Sequence, residues 1–460
     1  MRLSRRSFLH HCSVCAAGAA LIGCTDTTGR SVADTVVADT VVADTVVADT
    51  VVADTVVADT VVADTVVADT VVVDTSIGDD TEMDVSDDTV ADTAFDTTPT
   101  GPTCDDQLMG GVMEAVLGFE GVAIALDQRR NSGLDGRLYT DLTTVPEETL
   151  VENERFYIRT MYPDLIDPNA AWEISVEGLV DTPQRLSLAD LLGGPATPMG
   201  DHVLECSGNG RSGGFGLMSA ASWAGVRVTD VLDRLPVQAS ATRLLVQGFD
   251  LHSQPSAGGH STPGASWVFS FEQLAQGGAF FATEMNGVPL PDDHGSPVRL
   301  YIPGWYGCSC IKWVTRLELV DDTEPSTGQM REFASRTHQD GVPLLARDFR
   351  PASMEQAAMP VRVERWRVNG EVLHRVLGVM WGGSEPTDAL LFDDGVGLAA
   401  PVDVCPVQTQ NQLWTVWQHI WRPPATGSYG LTLRIDDPNI PTLRLDRGYY
   451  ERVVDVEVIA

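Results

Sequence analysis

Residues 202–214 read HVLECSGNGRSGG, a stretch in which an apolar run ends at a single cysteine and four glycines follow within eight residues. Cys206 is that cysteine, and Asn209 and Arg211 stand among the glycines. A thiol packed in a core does not need so flexible a backbone beside it. From these residues alone, Cys206 is a core residue, half of a disulfide, a nucleophile or a metal ligand.

The length and the charge of the chain narrow the class of protein. At 460 residues the chain is long enough for two or more domains with sizeable cores. Its formal net charge is −35, and no basic stripe offsets it, which argues against nucleic acid as a partner. The charge is uneven, because 18 acidic residues and only Arg30 stand between Asp26 and Thr100. About half of the negative charge therefore lies in one segment near the N-terminus.

The first residues are typical of an export signal. The pair Arg5 and Arg6 precedes a mildly apolar stretch that is too short to span a bilayer, which is a twin-arginine pattern. The stretch ends at LIGC, which resembles a lipoprotein box with Cys24 as the acylated mature N-terminus. An ordinary cleaved signal is the alternative. We therefore predict a signal peptide over residues 1–23 and a periplasmic or cell-surface lipoprotein anchored by Cys24.

A repeat follows the signal. The unit VVADT recurs from Val36 to Thr70, and VVVDT continues it to Thr75. A period of five matches neither a strand nor a helix, so no constant apolar face forms, and the regular aspartates repel one another. Residues 24–103 are therefore predicted to be a disordered acidic tether, with a small β-solenoid as the alternative.

From residue 104 onward the composition is that of a folded protein of the α+β class in which strands dominate. The apolar segment QLMGGVMEAVLGFEGVAIAL, residues 107–126, predicts a packed helix, because its glutamates and glycines disfavour a membrane span. Short helices are expected at LSLADLL and RVTDVLDRL, and turn-bounded runs predict strands at RFYIRT, WEISVEGLV, ATRLLVQGF and SPVRLYIPGW. The spacing of strands after about Val361 is that of an all-β sandwich. We expect a catalytic domain over residues 104–330 and a β-sandwich over residues 350–460.

Several separated motifs carry a family resemblance. They are LECSGNGRS at 204–212, SWAGVRVTDVL at 222–232 and MNGVPLPDDHGSPVRLYIPGWYGCSCIKWV at 285–314. In this order the chain resembles the sulfite oxidase family of molybdopterin enzymes, which includes sulfane dehydrogenase-like members. The resemblance extends over nearly everything after about residue 135. It implies a molybdopterin-binding domain followed by an immunoglobulin-like sandwich that often mediates dimers.

The resemblance gives Cys206 a role. In the family this cysteine is the thiolate that binds molybdenum beside the dithiolene sulfurs of one molybdopterin, and a soft thiolate suits such a metal. The glycines after it would let the backbone approach the cofactor closely. Arg159, in FYIRT, matches an arginine that faces the substrate pocket and binds an oxyanion. Cys206 and Arg159 are therefore the predicted catalytic residues.

Other residues are carried over by position in the same motifs. They are expected to bind the cofactor through the cysteine loop, through DHGSPVR, through CSCIKW and, most weakly, through QGFD. The predicted cofactor-binding residues are Arg211, Asp250, His294, Arg299, Ser309 and Lys312.

The chain also departs from the family pattern. The resemblance implies a tyrosine donor at the place of Pro263, and proline has no donor. Tyr306 and His260 are the candidates to supply one from elsewhere.

The remaining cysteines are those of an exported protein, in which disulfides persist. Cys308 and Cys310 stand on the predicted cofactor loop, where Cys-x-Cys within a strand points to different partners. A bridge from one of them to Cys405 or Cys104 is one possibility. No haem-attachment motif is present in the sequence, so we expect no haem in this chain.

The predicted function is oxygen-atom transfer at molybdenum on a small sulfur oxyanion such as sulfite, with two electrons passed to an external acceptor such as a cytochrome. A homodimer is plausible. The alternatives are a sulfoxide reductase of the same family and a non-catalytic, surface-displayed binding protein on this scaffold.

Overall fold

The computed structural model of the protein describes residues 108–259, 261–383, 385–405 and 413–458. The predicted signal peptide and tether lie outside the described residues. None of the helices described is both long enough and apolar enough to cross a membrane.

Strands dominate the described part of the chain, which confirms that prediction. The strands are β1 (Val112–Leu117), β2 (Glu173–Gly178), β3 (Gln184–Ser187), β4 (Thr197–Glu205), β5 (Met218–Arg227), β6 (Arg243–Gly248), β7 (Ser266–Ser270), β8 (Phe280–Met285), β9 (Val288–Pro289), β10 (Arg299–Tyr301), β11 (Val314–Val320), β12 (Ala357–Val368), β13 (Glu371–Trp381), β14 (Leu390–Asp393), β15 (Ala400–Pro401), β16 (Asp403–Val404), β17 (Thr415–Trp421), β18 (Gly427–Ile435) and β19 (Arg452–Val456). The α-helices are α1 (Leu188–Leu192), α2 (Val228–Leu232), α3 (Phe271–Gln276), α4 (Gly328–Glu332) and α5 (Leu443–Asp446).

Helix α1 is short because its caps lie close together in the sequence. In α1, the Ser187 side chain accepts a hydrogen bond from the Asp190 amide, while the Asp190 carboxylate accepts one from the Ser187 amide. This reciprocal cap begins the helix, and Gly193, in the left-handed conformation at φ 67°, ends it five residues later. Both LSLADLL and RVTDVLDRL therefore contain the short helices that their sequences predict.

Two five-stranded sheets form the first half of the fold. One has the order β3-β2-β11-β6-β7, in which only β2 and β11 run parallel. The other has the order β10-β8-β5-β4, with β9 paired to β8. The connection from β4 to β5 is the glycine-rich stretch that begins at Cys206.

Two further sheets contain the predicted C-terminal strands. Their orders are β1-β12-β13-β17-β16 and β15-β14-β18-β19, and they contact each other where β12 meets β18. β13 pairs on both sides, and its last nine residues are buried, as expected for a central strand. The immunoglobulin-like sandwich domain over residues 350–460 stays a prediction.

Two local predictions are wrong. The segment expected to be a helix contains strand β1, which pairs antiparallel with β12 at the edge of the C-terminal sheet. Its residues alternate in exposure from Glu114 to Leu117, and Arg365 and Arg367 of β12 form ion pairs with Glu114, so strand pairing replaces helix amphipathicity there. RFYIRT forms no strand, and only Ile158 makes an isolated bridge, to Leu138.

Candidate functional site

A hydrogen-bonded loop holds Cys206 directly after β4. The Cys206 amide donates to the Leu217 carbonyl at 2.9 Å, and the Asn209 amide donates to the Cys206 carbonyl at 2.9 Å. The Asn209 side-chain oxygen accepts from the amides of Gly210, at 3.1 Å, and Leu217, at 3.0 Å. The thiol is 5% exposed and free, so it is held in place without being sealed in a disulfide.

Two glycines of this loop have a packing role. A Cβ at Gly213 would lie 2.3 Å from the Tyr139 ring, and one at Gly216 would lie 2.4 Å from the Thr140 carbonyl oxygen. Neither separation leaves room for a side chain. These two glycines therefore let the cysteine loop pack against residues 139–140, a neighbour that the sequence did not predict.

Cys206 opens into a cleft of ≈ 890 Å³. The cleft gathers side chains from the segment before β2, from the β4–β5 loop, from the segment after β6 and from the loops around β10. Six of the eight predicted site residues line it. They are Arg159, Cys206, Asp250, His294, Arg299 and Lys312.

The structure does not bring the other two predicted residues to the cleft. The Arg211 guanidinium pairs with Glu451 at 2.7 Å, and its side chain is 41% exposed. Ser309 is fully buried, and its hydroxyl donates to the Tyr306 carbonyl at 2.8 Å. Ser309 therefore holds the turn that carries Cys308 and Cys310, and Arg211 ties the cysteine loop to the C-terminal part of the chain.

Two cations in the cleft, the buried Arg299 and the partly buried Lys312, donate to backbone carbonyls. Arg299 is 4% exposed and donates to the carbonyls of His294, at 3.1 Å, and Cys310, at 3.2 Å, while its Nε has no acceptor. The Lys312 ammonium donates to the carbonyls of Thr160 and Asp293, the latter at 2.8 Å. In the described part of the chain, neither cation forms an ion pair. A buried charge without a counterion is costly, so this pair fits a ligand that brings negative charge, as the phosphate of a molybdopterin does.

The surroundings of Lys312 change its protonation. Burial, and next the positive charge of Arg299, lower the pKa of Lys312 to about 7. Its ammonium also lies 4.2 Å from the centre of the Trp313 ring, a cation–π contact that favours the charged form. Lys312 is the only lysine in the sequence. An anion beside it would restore the ammonium, because opposite charge raises the pKa of a lysine.

His294 is a neutral imidazole in the cleft. Its Nε2 lies 3.0 Å from the Asn153 carbonyl oxygen, which only accepts, so Nε2 carries the hydrogen and Nδ1 is the acceptor. Burial lowers the pKa of His294 to about 3. The ring packs edge-on against Phe156 with centroids 5.3 Å apart. His294 can therefore orient a ligand through hydrogen bonds, and it adds no charge at neutral pH.

Two arginines meet at one serine on the wall of the cleft. Nη1 of Arg159 donates to the Ser261 hydroxyl oxygen at 3.0 Å, and Nη2 of Arg137 donates to the same atom at 3.1 Å. Arg137 also donates to the carbonyls of Leu134, at 2.8 Å, and of Arg159. Sequence reasoning missed Arg137 and Ser261, since neither stands in a recognisable motif.

The cysteine pairing that the sequence left open is settled for the described residues. Cys308 and Cys310 are free and buried, and both line the cleft, so the bridge considered from one of them to Cys405 or Cys104 does not form. Burial raises the pKa of both thiols, which keeps them protonated. Cys405 is disulfide-bonded.

The departure from the family at Pro263 does not fall inside the cleft. Pro263 is exposed and does not line the cleft. Tyr306 is buried and does not line the cleft either. His260 lies outside the described residues. The neighbouring Ser261 and Thr262 line the cleft instead.

The sequence motifs did not predict the acidic residues of the cleft, Asp293 and Glu332. Asp293 forms an ion pair with Arg129, and its carboxylate accepts the Tyr162 amide at 2.8 Å. From α4, Gln329 donates to the Cys308 carbonyl at 2.6 Å, and Glu332 reaches the wall beside it. The adjacency of Asp293 to His294 in the DHGSPVR motif was the one signal that could have found it.

Comparison with known proteins assigns this arrangement to a class. Residues 160–328 match the family model described as the oxidoreductase molybdopterin binding domain. The match contains every predicted cofactor-binding residue and Cys206, and it begins one residue after Arg159. The chain therefore carries a molybdopterin-binding oxidoreductase domain over these residues, which confirms the prediction of an oxidoreductase enzyme.

The similar proteins include sulfite oxidases and nitrate reductases. The mitochondrial sulfite oxidase of Drosophila melanogaster is 28% identical over 256 residues, which are 52% of this chain and 44% of the relative. The NADPH nitrate reductase of Fusarium oxysporum is 29% identical over 198 residues, 40% of this chain and 21% of the relative. The chain thus matches less than half the length of either relative.

A solved structure has a similar fold. The sulfane dehydrogenase SoxCD from Paracoccus pantotrophus superposes with a TM-score of 0.53 at 19% identity, covering 80% of this chain and 95% of that one. At this identity the likeness supports the fold alone.

Proposed function

We propose that this protein is a molybdenum-dependent oxidoreductase that performs oxygen-atom transfer on a small sulfur oxyanion such as sulfite and passes electrons to an external acceptor. The observation that carries the proposal is the meeting, in one cleft, of the free Cys206 thiol, of Arg159, and of Arg299 and Lys312, which form no ion pair with any of the described residues. A soft ligand suits molybdenum, buried cations suit a phosphate, and a guanidinium suits an oxyanion.

The side chains divide the work as follows. Cys206 would hold the metal, while Arg299, Lys312 and His294 would hold the pterin and its phosphate. Arg159 would bind and orient the substrate anion, and its positive charge would also stabilise negative charge that develops during transfer. When bound, the cofactor supplies the oxygen-exchange and two-electron chemistry, which no side chain of this chain can supply.

The partners and the location are part of the proposal. Electrons leave to an external acceptor such as a cytochrome, and the chain itself holds no haem. Residues 1–23 direct export, Cys24 carries the lipid, and the acidic repeat separates the enzyme from the membrane. The C-terminal sandwich pairs two copies into a homodimer.

A second candidate is reduction of a small oxyanion. The nitrate reductase relatives favour it, because nitrate is also an anion with several oxygens that a guanidinium can bind. The two remaining candidate functions are reduction of a neutral sulfoxide and non-catalytic binding at the cell surface.

A metal assay followed by a substrate comparison tests the proposal. The full-length protein, produced with cofactor supply, should contain roughly one molybdenum per chain. It should turn over sulfite with an artificial electron acceptor faster than it reduces nitrate or a sulfoxide with an artificial donor. A chain without molybdenum, or one with nitrate as its best substrate, would refute the function proposed.

Arg159→Gln tests the anion site directly. Loss of a charge-assisted hydrogen bond should raise the KM for sulfite by roughly tenfold to a hundredfold. The matched control is Arg185→Gln, since Arg185 lies on the surface with its side chain 72% exposed and pairs with Glu173. An unchanged sulfite KM in Arg159→Gln would remove Arg159 from the substrate site.

A further inference from the structure

The Ser261 hydroxyl is saturated as an acceptor. A hydroxyl oxygen has two lone pairs and one hydrogen. Arg159 and Arg137 each donate to this oxygen, at 3.0 Å and 3.1 Å, and a guanidinium has no atom that can accept in return. Both lone pairs are therefore used, and the single O–H donor is left for another acceptor.

No side chain or carbonyl of the described residues takes that hydrogen. Ser261 is partly buried and lines the cleft together with Arg159 and Cys206. Two positive groups on the oxygen draw electron density from the O–H bond, so this hydroxyl is a stronger donor than an ordinary serine. Such a donor on the wall of a cleft is suited to an anionic oxygen of a ligand.

Arg137 fixes the geometry of this donor. Its guanidinium donates to the carbonyls of Leu134, Gly136 and Arg159 as well as to Ser261. It thus connects the backbone of Arg159 to the hydroxyl that the Arg159 side chain also binds. Burial, and next the charge of Arg159, lower the pKa of Arg137 to about 10, so the guanidinium is charged at neutral pH.

We propose that Ser261 is a specificity-determining residue that donates a hydrogen bond to a second oxygen of the substrate, with Arg137 as the residue that positions it. This inference rests on the proposed function and deepens it, because it names the substrate class. The substrate is an anion with at least two oxygens, one for Arg159 and one for Ser261. A neutral sulfoxide offers one oxygen without a formal charge, so it gains less from the two donors than an anion that presents a separate charged oxygen to each.

The test measures binding separately from turnover. Sulfate, an oxyanion that the enzyme does not oxidise, is titrated calorimetrically into the molybdenum-loaded, full-length protein and into Ser261→Ala and Ser261→Thr. Ser261→Ala should weaken sulfate binding and raise the sulfite KM by roughly tenfold, the effect of one hydrogen bond to a charged group. Ser261→Thr keeps the hydroxyl and should recover most of the affinity, and sulfoxide reduction should respond little to either change.

Arg137 is tested by a double-variant cycle. If Arg137 acts through Ser261, Arg137→Gln combined with Ser261→Ala should weaken sulfate binding hardly more than Ser261→Ala alone. Fully additive losses would show that Arg137 acts independently. Thermal unfolding of each variant confirms that it folds, and Arg137→Lys replaces Arg137→Gln if the latter does not.

The outcomes separate this inference from the proposed function. Sulfate binding that depends on Ser261 in a protein without oxygen-atom transfer would refute the function and keep the oxyanion site. Sulfite turnover with sulfate affinity and sulfite KM unchanged in Ser261→Ala would overturn the inference and leave the function standing.

Discussion

Replacing Lys312 by methionine should remove a pH dependence from the stability of the cofactor-free protein. The pKa of Lys312 is about 7 in the folded chain, and an exposed lysine titrates near 10.5. Between these values the unfolded chain holds a proton that the folded chain has released. Stability contributed by this group therefore rises with pH across this window, and below pH 7 it is constant.

The magnitude follows from the two pKa values. Each pH unit in which only the unfolded chain is protonated changes the free energy of unfolding by about 1.4 kcal/mol. Since Lys312 is half deprotonated near pH 7, the gain from pH 7 to pH 9 is about 2 kcal/mol. Urea unfolding at pH 6, 7, 8 and 9 should show the free energy of unfolding of the parent rising with pH relative to that of Lys312→Met. Both proteins contain the same cysteines, so cysteine titration contributes equally to the two profiles.

A direct measurement is possible because Lys312 is the only lysine in the sequence. In protein labelled with [13C-ε]lysine, one side-chain signal should titrate near pH 7 without cofactor and at higher pH once the cofactor phosphate is bound. Parallel stability profiles for parent and Lys312→Met, or a signal titrating near 10.5 without cofactor, would refute the reasoning.

Three other predictions concern the metal ligand, its support and the repeat. Cys206→Ser should lose oxygen-atom transfer and keep its thermal midpoint, because a hydroxyl replaces a soft thiolate without disturbing the loop; full activity would exclude Cys206 as the ligand. Tyr450→Phe should lower the free energy of unfolding by about 1–3 kcal/mol, because the buried Glu205 carboxyl then loses the Tyr450 hydroxyl that donates to it at 3.0 Å. An unchanged urea midpoint would show that this hydrogen bond does not stabilise the fold. Deleting VVADT units between Val36 and Thr70 should leave turnover with an artificial acceptor and the thermal midpoint unchanged; a loss of either would show that the repeat is packed.

Motifs of a few residues determined much of the candidate site. The cysteine with its glycines, DHGSPVR and CSCIKW pointed to Cys206, His294, Arg299 and Lys312, and the structure places these four residues on the wall of one cleft. Short-range signals also predicted α1 and most strands, because caps, turns and alternation act over a few residues.

Only the tertiary structure decided the contacts between distant segments. Ser261 meets Arg137 across 124 residues, and Arg211 pairs with Glu451 across 240. The apolar segment that includes Val112–Leu117 is compatible with a helix by composition, and pairing with β12 made it a strand. Sequence patterns indicate which face of a helix or strand is buried, whereas strand order and register decide which helices, strands and loops contact one another. The side chains that complete the cleft, and the pKa values that burial imposes on them, therefore arise only when the sheets assemble.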